Sequence, residues 1–138
     1  MISKKLVEQL KIHEGFSRKP YKDTVGKLTI GYGRNLDDNG INRSEGEFLL
    51  FSDLVAIHFQ LKAMLPGFED LNETRQNVLL NMAYNMGIYG LLTFKNMLRA
   101  ISERDFEEAA KQALNSKWAQ QVGGRALELA EQLKTGIS

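Results

Sequence analysis

The chain has 138 residues, no cysteine and a formal net charge of +1. That length fits one domain with a real core, and the missing cysteines exclude a disulfide framework, a thiol nucleophile and a thiolate metal site. With 43% hydrophobic and 25% charged residues the composition is that of a soluble globular protein.

Taken in chain order, residues 3–14 carry Leu6, Val7 and Leu10 at helical spacing, and Gly15 is a natural helix stop. Residues 21–34 alternate, with Val25-Gly26 at mid-run, and predict a hairpin. Residues 36–43 are expected as a loop. Ser44 followed by Glu47 has the pattern of a capping box that opens a long helix to about Met64. Pro66-Gly67 ends that helix. Beyond it the chain is expected to be helical over about 72–86, 93–103, 105–115 and 125–135, with breaks at Gly87, Gly90, Ser102-Glu103, Ser116 and Gly123-Gly124. Asp105 with Glu108 repeats the capping-box pattern. The expected architecture is α+β. A small mixed lobe, about 13–50, is joined by one long helix to a helical lobe, about 65–138, which the N-terminal helix joins; a cleft is expected between them.

Charge is uneven along the chain. Residues 1–35 hold eight Lys/Arg against three Asp/Glu, a net of +5, and residues 36–138 hold ten against fourteen, a net of −4. A basic N-terminal part can attract an anionic polymer, although scattered solvated lysines give the same count. No basic stripe interleaved with aromatics points to nucleic acid. The two histidines, His13 and His58, lack zinc-ligand spacing, so no metal is expected. No run approaches the ~20 apolar residues of a membrane span. No apolar stretch follows Met1-Ile2-Ser3-Lys4-Lys5, so synthesis in the cytoplasm without a signal peptide is expected.

Three residues carry the chemistry. Glu14 stands just before the helix-stopping glycine, facing the negative end of the helix dipole. A carboxylate there is unfavourable by a few tenths to ~1 kcal/mol, and the protonated form is favoured, as suits a general acid. An ordinary exposed glutamate would look the same by position alone. Asp23, nine residues on, is either a turn aspartate bonded to its own backbone or a base that activates water. Thr29 would share a strand face with Gly31 and Gly33, opposite Leu28, Ile30 and Tyr32. Two glycines in a strand cost stability and often mark close approach of another molecule. Two carboxyl groups beside an open surface suit hydrolysis of a glycosidic bond.

Glu14-Gly15, Tyr21-Lys22-Asp23-Thr24-Val25-Gly26 and Thr29-Ile30-Gly31-Tyr32-Gly33, in this order and spacing, resemble the phage-type lysozymes of the T-even kind. The likeness extends through Leu80-Asn81-Met82-Ala83-Tyr84-Asn85-Met86-Gly87, Phe94-Lys95-Asn96-Met97-Leu98-Arg99, Ser116-Lys117-Trp118 and Arg125, and so covers essentially the whole chain. It implies a two-lobed muramidase, an endolysin of glycoside hydrolase family 24, cutting the β-1,4 bond between N-acetylmuramic acid and N-acetylglucosamine in peptidoglycan. It implies an inverting mechanism without a cofactor. By position Glu14 would be the acid, Asp23 the base or electrostatic stabiliser, and Thr29 the holder of the nucleophilic water. Gly31, Tyr32, Asn85 and Met86 would meet the substrate. Arg34 departs from the family's histidine, and Asp53 stands where that histidine's acidic partner would be, so an Arg34–Asp53 ion pair is expected. His13 stands where close relatives often carry an acid.

Other candidates remain double-valued. Asn85 suits a substrate acetamide or a helix cap. Trp118 reads as core before sugar platform. Arg125 opens a helix whose dipole disfavours it, so it needs a partner, and the resemblance suggests Glu14. Met82, Met86 and Met97 read as core filling. A lytic transglycosylase and a catalytically inactive peptidoglycan-binding module are the alternatives to the muramidase; Asp23 and Thr29, a pair that handles water, argue against the first, and intact Glu14, Asp23 and Thr29 argue against the second. A monomer is expected, released to the cell wall by a pore-forming partner (a holin) or carried there on a virion tail.

Overall fold

A computed structural model describes residues 1–138. The chain divides into two compact units, Met1–Leu49 and Leu50–Ser138. The N-terminal helix, expected with the helical part, falls in the first unit.

The first unit opens with α1, Lys4–Glu14. The Ser3 hydroxyl oxygen caps it by accepting from the Leu6 amide at 3.1 Å, and Gly15 closes it at φ 68°. A three-stranded antiparallel sheet follows: β1 (Ser17–Lys22), β2 (Leu28–Gly31) and β3 (Arg34–Asn35), in the order β1-β2-β3. The expected hairpin is present, and its first strand begins four residues earlier than the alternation suggested. Tyr21 pairs with Thr29, and Thr29 with Asn35, so Thr29 stands in the central strand. A bulge between Ser17 and Tyr21 shifts the register before Gly31 is met.

The expected loop at 36–43 contains a short helix, α2, Leu36–Asn39. The Asn35 side chain caps it by accepting from the Asp38 amide, and Asp37 accepts from the Leu28 amide at 2.6 Å, so the segment is tied back to β2. The long helix α3, Arg43–Met64, begins one residue before Ser44. Its capping box is Asn42 with Glu45, not Ser44 with Glu47. The Asn42 Oδ1 accepts from the Glu45 amide at 2.8 Å and the Asn42 amide donates to Glu45 Oε1 at 3.0 Å.

The second unit holds the core. After a 3₁₀ turn at Phe68–Asp70 come α4 (Glu73–Met86), α5 (Ile88–Leu92), α6 (Lys95–Ser102), α7 (Phe106–Leu114), α8 (Lys117–Val122) and α9 (Gly124–Thr135). Leu61, Phe68, Leu79, Met82, Leu91, Met97 and Leu133 are fully buried together. Gly90 does not break the chain as expected. It sits inside α5, where a Cβ would stand 3.1 Å from Met86 Cγ, so it serves close packing. At α7 the Asp105 carboxylate accepts from the Glu108 amide, and the Glu108 carboxylate turns to Gln112 instead of closing the box. Arg75 binds the last carbonyls of α9, Leu133 at 2.8 Å and Lys134 at 2.9 Å, and lies over the Phe106 ring.

Candidate functional site

Glu14, Asp23 and Thr29 all lie in the first unit, at the end of α1, in the β1–β2 turn and on β2. The turn is built on Asp23. Its amide donates to the Lys27 carbonyl at 2.8 Å and its carbonyl accepts from the Gly26 amide at 3.0 Å. Its Oδ1 accepts from the Val25 amide at 3.0 Å and the Lys27 amide at 2.8 Å. Asp23 is thus a turn aspartate through one oxygen only; Oδ2 makes no protein hydrogen bond in this turn.

Thr29 differs from expectation. It is 3% exposed, and its hydroxyl donates to the Lys27 carbonyl at 3.0 Å. The burial is local to this side chain, since no other residue of β2 is buried. Gly31 and Gly33 do not extend one strand face either. Gly31 ends β2 at φ 67° and Gly33 lies in the turn to β3 at φ 76°. Both are glycine because the chain reverses through a left-handed conformation. Gly33 has a second reason: a Cβ there would lie 2.6 Å from Glu14 Oε2. The Glu14 carboxyl therefore rests against the β2–β3 turn.

Tyr32 is half-exposed, with Phe16 against its ring at 5.2 Å between centroids and the Lys11 ammonium 5.8 Å above it.

Arg34 corrects a second expectation. Its guanidinium is held by Glu45 through both carboxylate oxygens and donates to the Gly40 carbonyl at 3.0 Å. Asp53 is not its partner; Glu45 lies eleven residues from Arg34 on the first turn of α3 and is already oriented by Asn42. The hydrogen bond to Arg34 lowers the Glu45 pKa, helped by the Asn42 amide, and the same pair raises that of Arg34. A carboxyl group whose folded pKa lies below its unfolded one stabilises the fold above the usual carboxylate range, and that stability is lost as pH falls through the lowered value. We expect Arg34→Ala and Glu45→Ala to couple in a double-mutant cycle at pH 7, and the coupling to fade only in acid. Zero coupling at pH 7 would mean that the bonds carry no stability. Lys27 and Asp38 form a similar exposed pair at 3.0 Å, with Asp38 lowered by the hydrogen bond from Lys27.

In the second unit, Asn85 is neither a cap nor free. Its Oδ1 accepts from Trp118 Nε1 at 2.7 Å, which satisfies the indole of a side chain 8% exposed against Phe94. Trp118 is core, as read. Met82 and Met97 are buried, and Met86 packs partly buried against the same core. Arg125 finds its partner in Asn81, through Nε at 3.0 Å and Nη2 at 2.7 Å to Oδ1, where the resemblance suggested Glu14. Asp53 lines a pocket with Gln60, Tyr84 and Gly87. Sequence reading missed Glu45, Asn81 and the contact of Gly33 with Glu14. Only the first had a readable signal, the Asn-x-x-Glu pattern at 42–45.

No group of three or more His, Asp or Glu side chains gathers as a metal site. No helix is long and apolar enough to cross a membrane.

The small three-stranded sheet and carboxyl-bearing helix end of the first unit, and the helical core of the second, make an α+β fold of the lysozyme type. The Phage lysozyme family matches residues 11–133, and the chain belongs to that family. It is 30% identical to Probable T4-type lysozyme 1 of Dictyostelium discoideum, over 94% of this chain and 93% of that one. It is 31% identical to the Pre-baseplate central spike protein Gp5 of Enterobacteria phage T4, over 95% of this chain and 28% of that protein. Against the SAR-endolysin of Bacteriophage PS119 it is 33% identical over 72% of this chain and 60% of the other. The activity is that of a lysozyme acting on peptidoglycan.

Proposed function

We propose that the chain is a muramidase hydrolysing the β-1,4 bond between N-acetylmuramic acid and N-acetylglucosamine by inversion. Glu14 gives its proton to the leaving glycosidic oxygen. Asp23 accepts a proton from water on the opposite face of the sugar, and Thr29 orients that water. The observation that carries this reading is the division of labour within Asp23. One oxygen is fixed by two backbone amides, so the carboxylate is aimed, and the other is free to take a proton. Thr29 supports it. Its proton is committed to the Lys27 carbonyl, so its oxygen can only accept from a water. Gly31 and Tyr32, in the same unit as the three residues, contact the sugars, and Arg34 braces the β2–β3 segment that carries them. The protein acts as a monomer on the cell wall after synthesis in the host cytoplasm.

The test is the product. Mass spectrometry of digested peptidoglycan is expected to show hydrolysed reducing ends. Anhydro ends would make the enzyme a transglycosylase, and no cleavage a binding module. NMR of the fresh product should show the α-anomer first, since an inverting pair holds a water between carboxyls about 6.5–9.5 Å apart, against about 5–5.5 Å in a retaining pair. Initial β-anomer would refute inversion. Two delivery routes are proposed, release by a holin and carriage on a virion. The likeness to a spike protein supports the second.

A further inference from the structure

We infer that Gly33 is a positioning residue for Glu14: the side chain it lacks is what lets the carboxyl seat against the β2–β3 turn. The inference rests on the proposed role of Glu14 as the acid.

Positive φ explains most of the glycines in this chain by itself. Gly15, Gly26, Gly31, Gly40, Gly67, Gly87 and Gly123 all have it, and a Cβ at any of them would meet nothing within 4 Å. Gly33 is different. At φ +76° a Cβ would stand 2.6 Å from Glu14 Oε2, 3.1 Å from Cδ and 3.5 Å from Cβ. Three atoms of one side chain, carboxyl end foremost, fill the space. The turn is fixed by β2 and β3, which pair through Thr29–Asn35 and Ile30–Arg34, and Arg34 is tied to Glu45 and Gly40. The Glu14 carboxyl is the end of a flexible, exposed side chain. Any methyl at 33 would therefore displace the carboxyl rather than the turn. Restoring ordinary contact needs most of an ångström of withdrawal, and a misplacement of about 1 Å at a reacting group can cost about 10²-fold in rate. The methyl would displace the proposed acid and not a group proposed to hold the sugars, so the loss should fall on kcat and leave KM nearly unchanged.

The experiment compares wild type with Gly33→Ala and Gly67→Ala. Gly67 has φ +83° with open space around it, so its variant carries the backbone strain without the contact. The first readout does not depend on activity. In protein labelled with [13C]glutamate at the carboxyl, the Glu14 resonance is assigned by its loss in Glu14→Gln. Gly33→Ala should move it and Gly67→Ala should not. The second readout is kinetics on soluble glycan fragments, where Gly33→Ala should lose about 10²-fold in kcat with KM near wild type, and Gly67→Ala should keep its rate. An unmoved resonance in Gly33→Ala overturns the inference whatever happens to kcat. A moved resonance with kcat intact supports the contact and removes Glu14 from the role of acid. If Gly33→Ala does not fold, the Glu14→Ala/Gly33→Ala double variant decides. Folding of the double alone supports the contact, and failure of both overturns it.

Discussion

Glu14→Gln is expected to lower kcat by about 10²–10⁴-fold while the protein folds as wild type. The amide keeps the length and shape of the side chain, so it can rest against Gly33 as the carboxyl does. It cannot release a proton to a leaving sugar oxygen. Stability should not fall, because Glu14 is exposed and ends α1. A negative charge at that end is opposed by the helix dipole by about 0.3–1 kcal/mol, so its removal should hold or slightly raise the melting temperature. The measurement is release of reducing ends from purified peptidoglycan, with circular dichroism melts of both proteins. A folded variant turning over near the wild-type rate would end the assignment of Glu14 as acid. An unfolded variant would instead give Glu14 a structural part that its exposure argues against.

The secondary structure was legible where local chemistry decides it. Ser3 and Gly15 bracket α1 because a cap side chain and a left-handed glycine act within a few residues. Asp23 and Gly26 specify the β1–β2 turn for the same reason. The misreadings came where two local signals compete or where packing overrides one. Asn42-x-x-Glu45 and Ser44-x-x-Glu47 are both capping boxes by pattern. The first wins because Glu45 also takes Arg34, a partner that only the fold brings near. Gly90 reads as a breaker, yet the Met86 side chain leaves no room for a Cβ, and the helix runs through it. The short α8 escaped because six residues carry too little periodicity to show, although Ser116 caps it.

The site was legible as a set of residue types and much less as a set of contacts. Glu14, Asp23 and Thr29 stand out by order and spacing, and all three lie in one unit. The glycines at 31 and 33 were noticed for their cost in a strand, but their cause is chain reversal, and for Gly33 the carboxyl against it. Thr29 looked exposed because Gly31 and Gly33 were read onto its strand face. Both glycines belong instead to the chain reversal, and Thr29 alone in β2 is buried. Partners of long side chains were the least readable. Arg34 reaches Glu45 and Arg125 reaches Asn81 across 44 residues of chain, and neither separation leaves a trace in a single sequence.

Asp23→Asn separates the two functions that Asp23 combines, and is expected to cost activity without costing the fold. An asparagine oxygen can still accept from the Val25 and Lys27 amides, which meet Oδ1 at 3.0 and 2.8 Å. The bonds weaken because a neutral acceptor replaces an ionised one, a loss of about 1 kcal/mol, so the melting temperature should fall by only a few degrees. The position of Oδ2 becomes an NH₂ group, which cannot take a proton from water and would donate toward the nucleophile instead of accepting from it. General base catalysis is worth about 10²–10⁴-fold, and kcat should fall by that much with the α-anomer still the first product of what activity remains. Asp23→Ala removes both functions, so it should match the Asn variant in rate but melt well below it, since two turn amides lose their acceptor. Equal melting of the two variants would show that the turn does not depend on the carboxylate. A fast Asp23→Asn enzyme would show that the free oxygen takes no proton, and that the water is activated elsewhere.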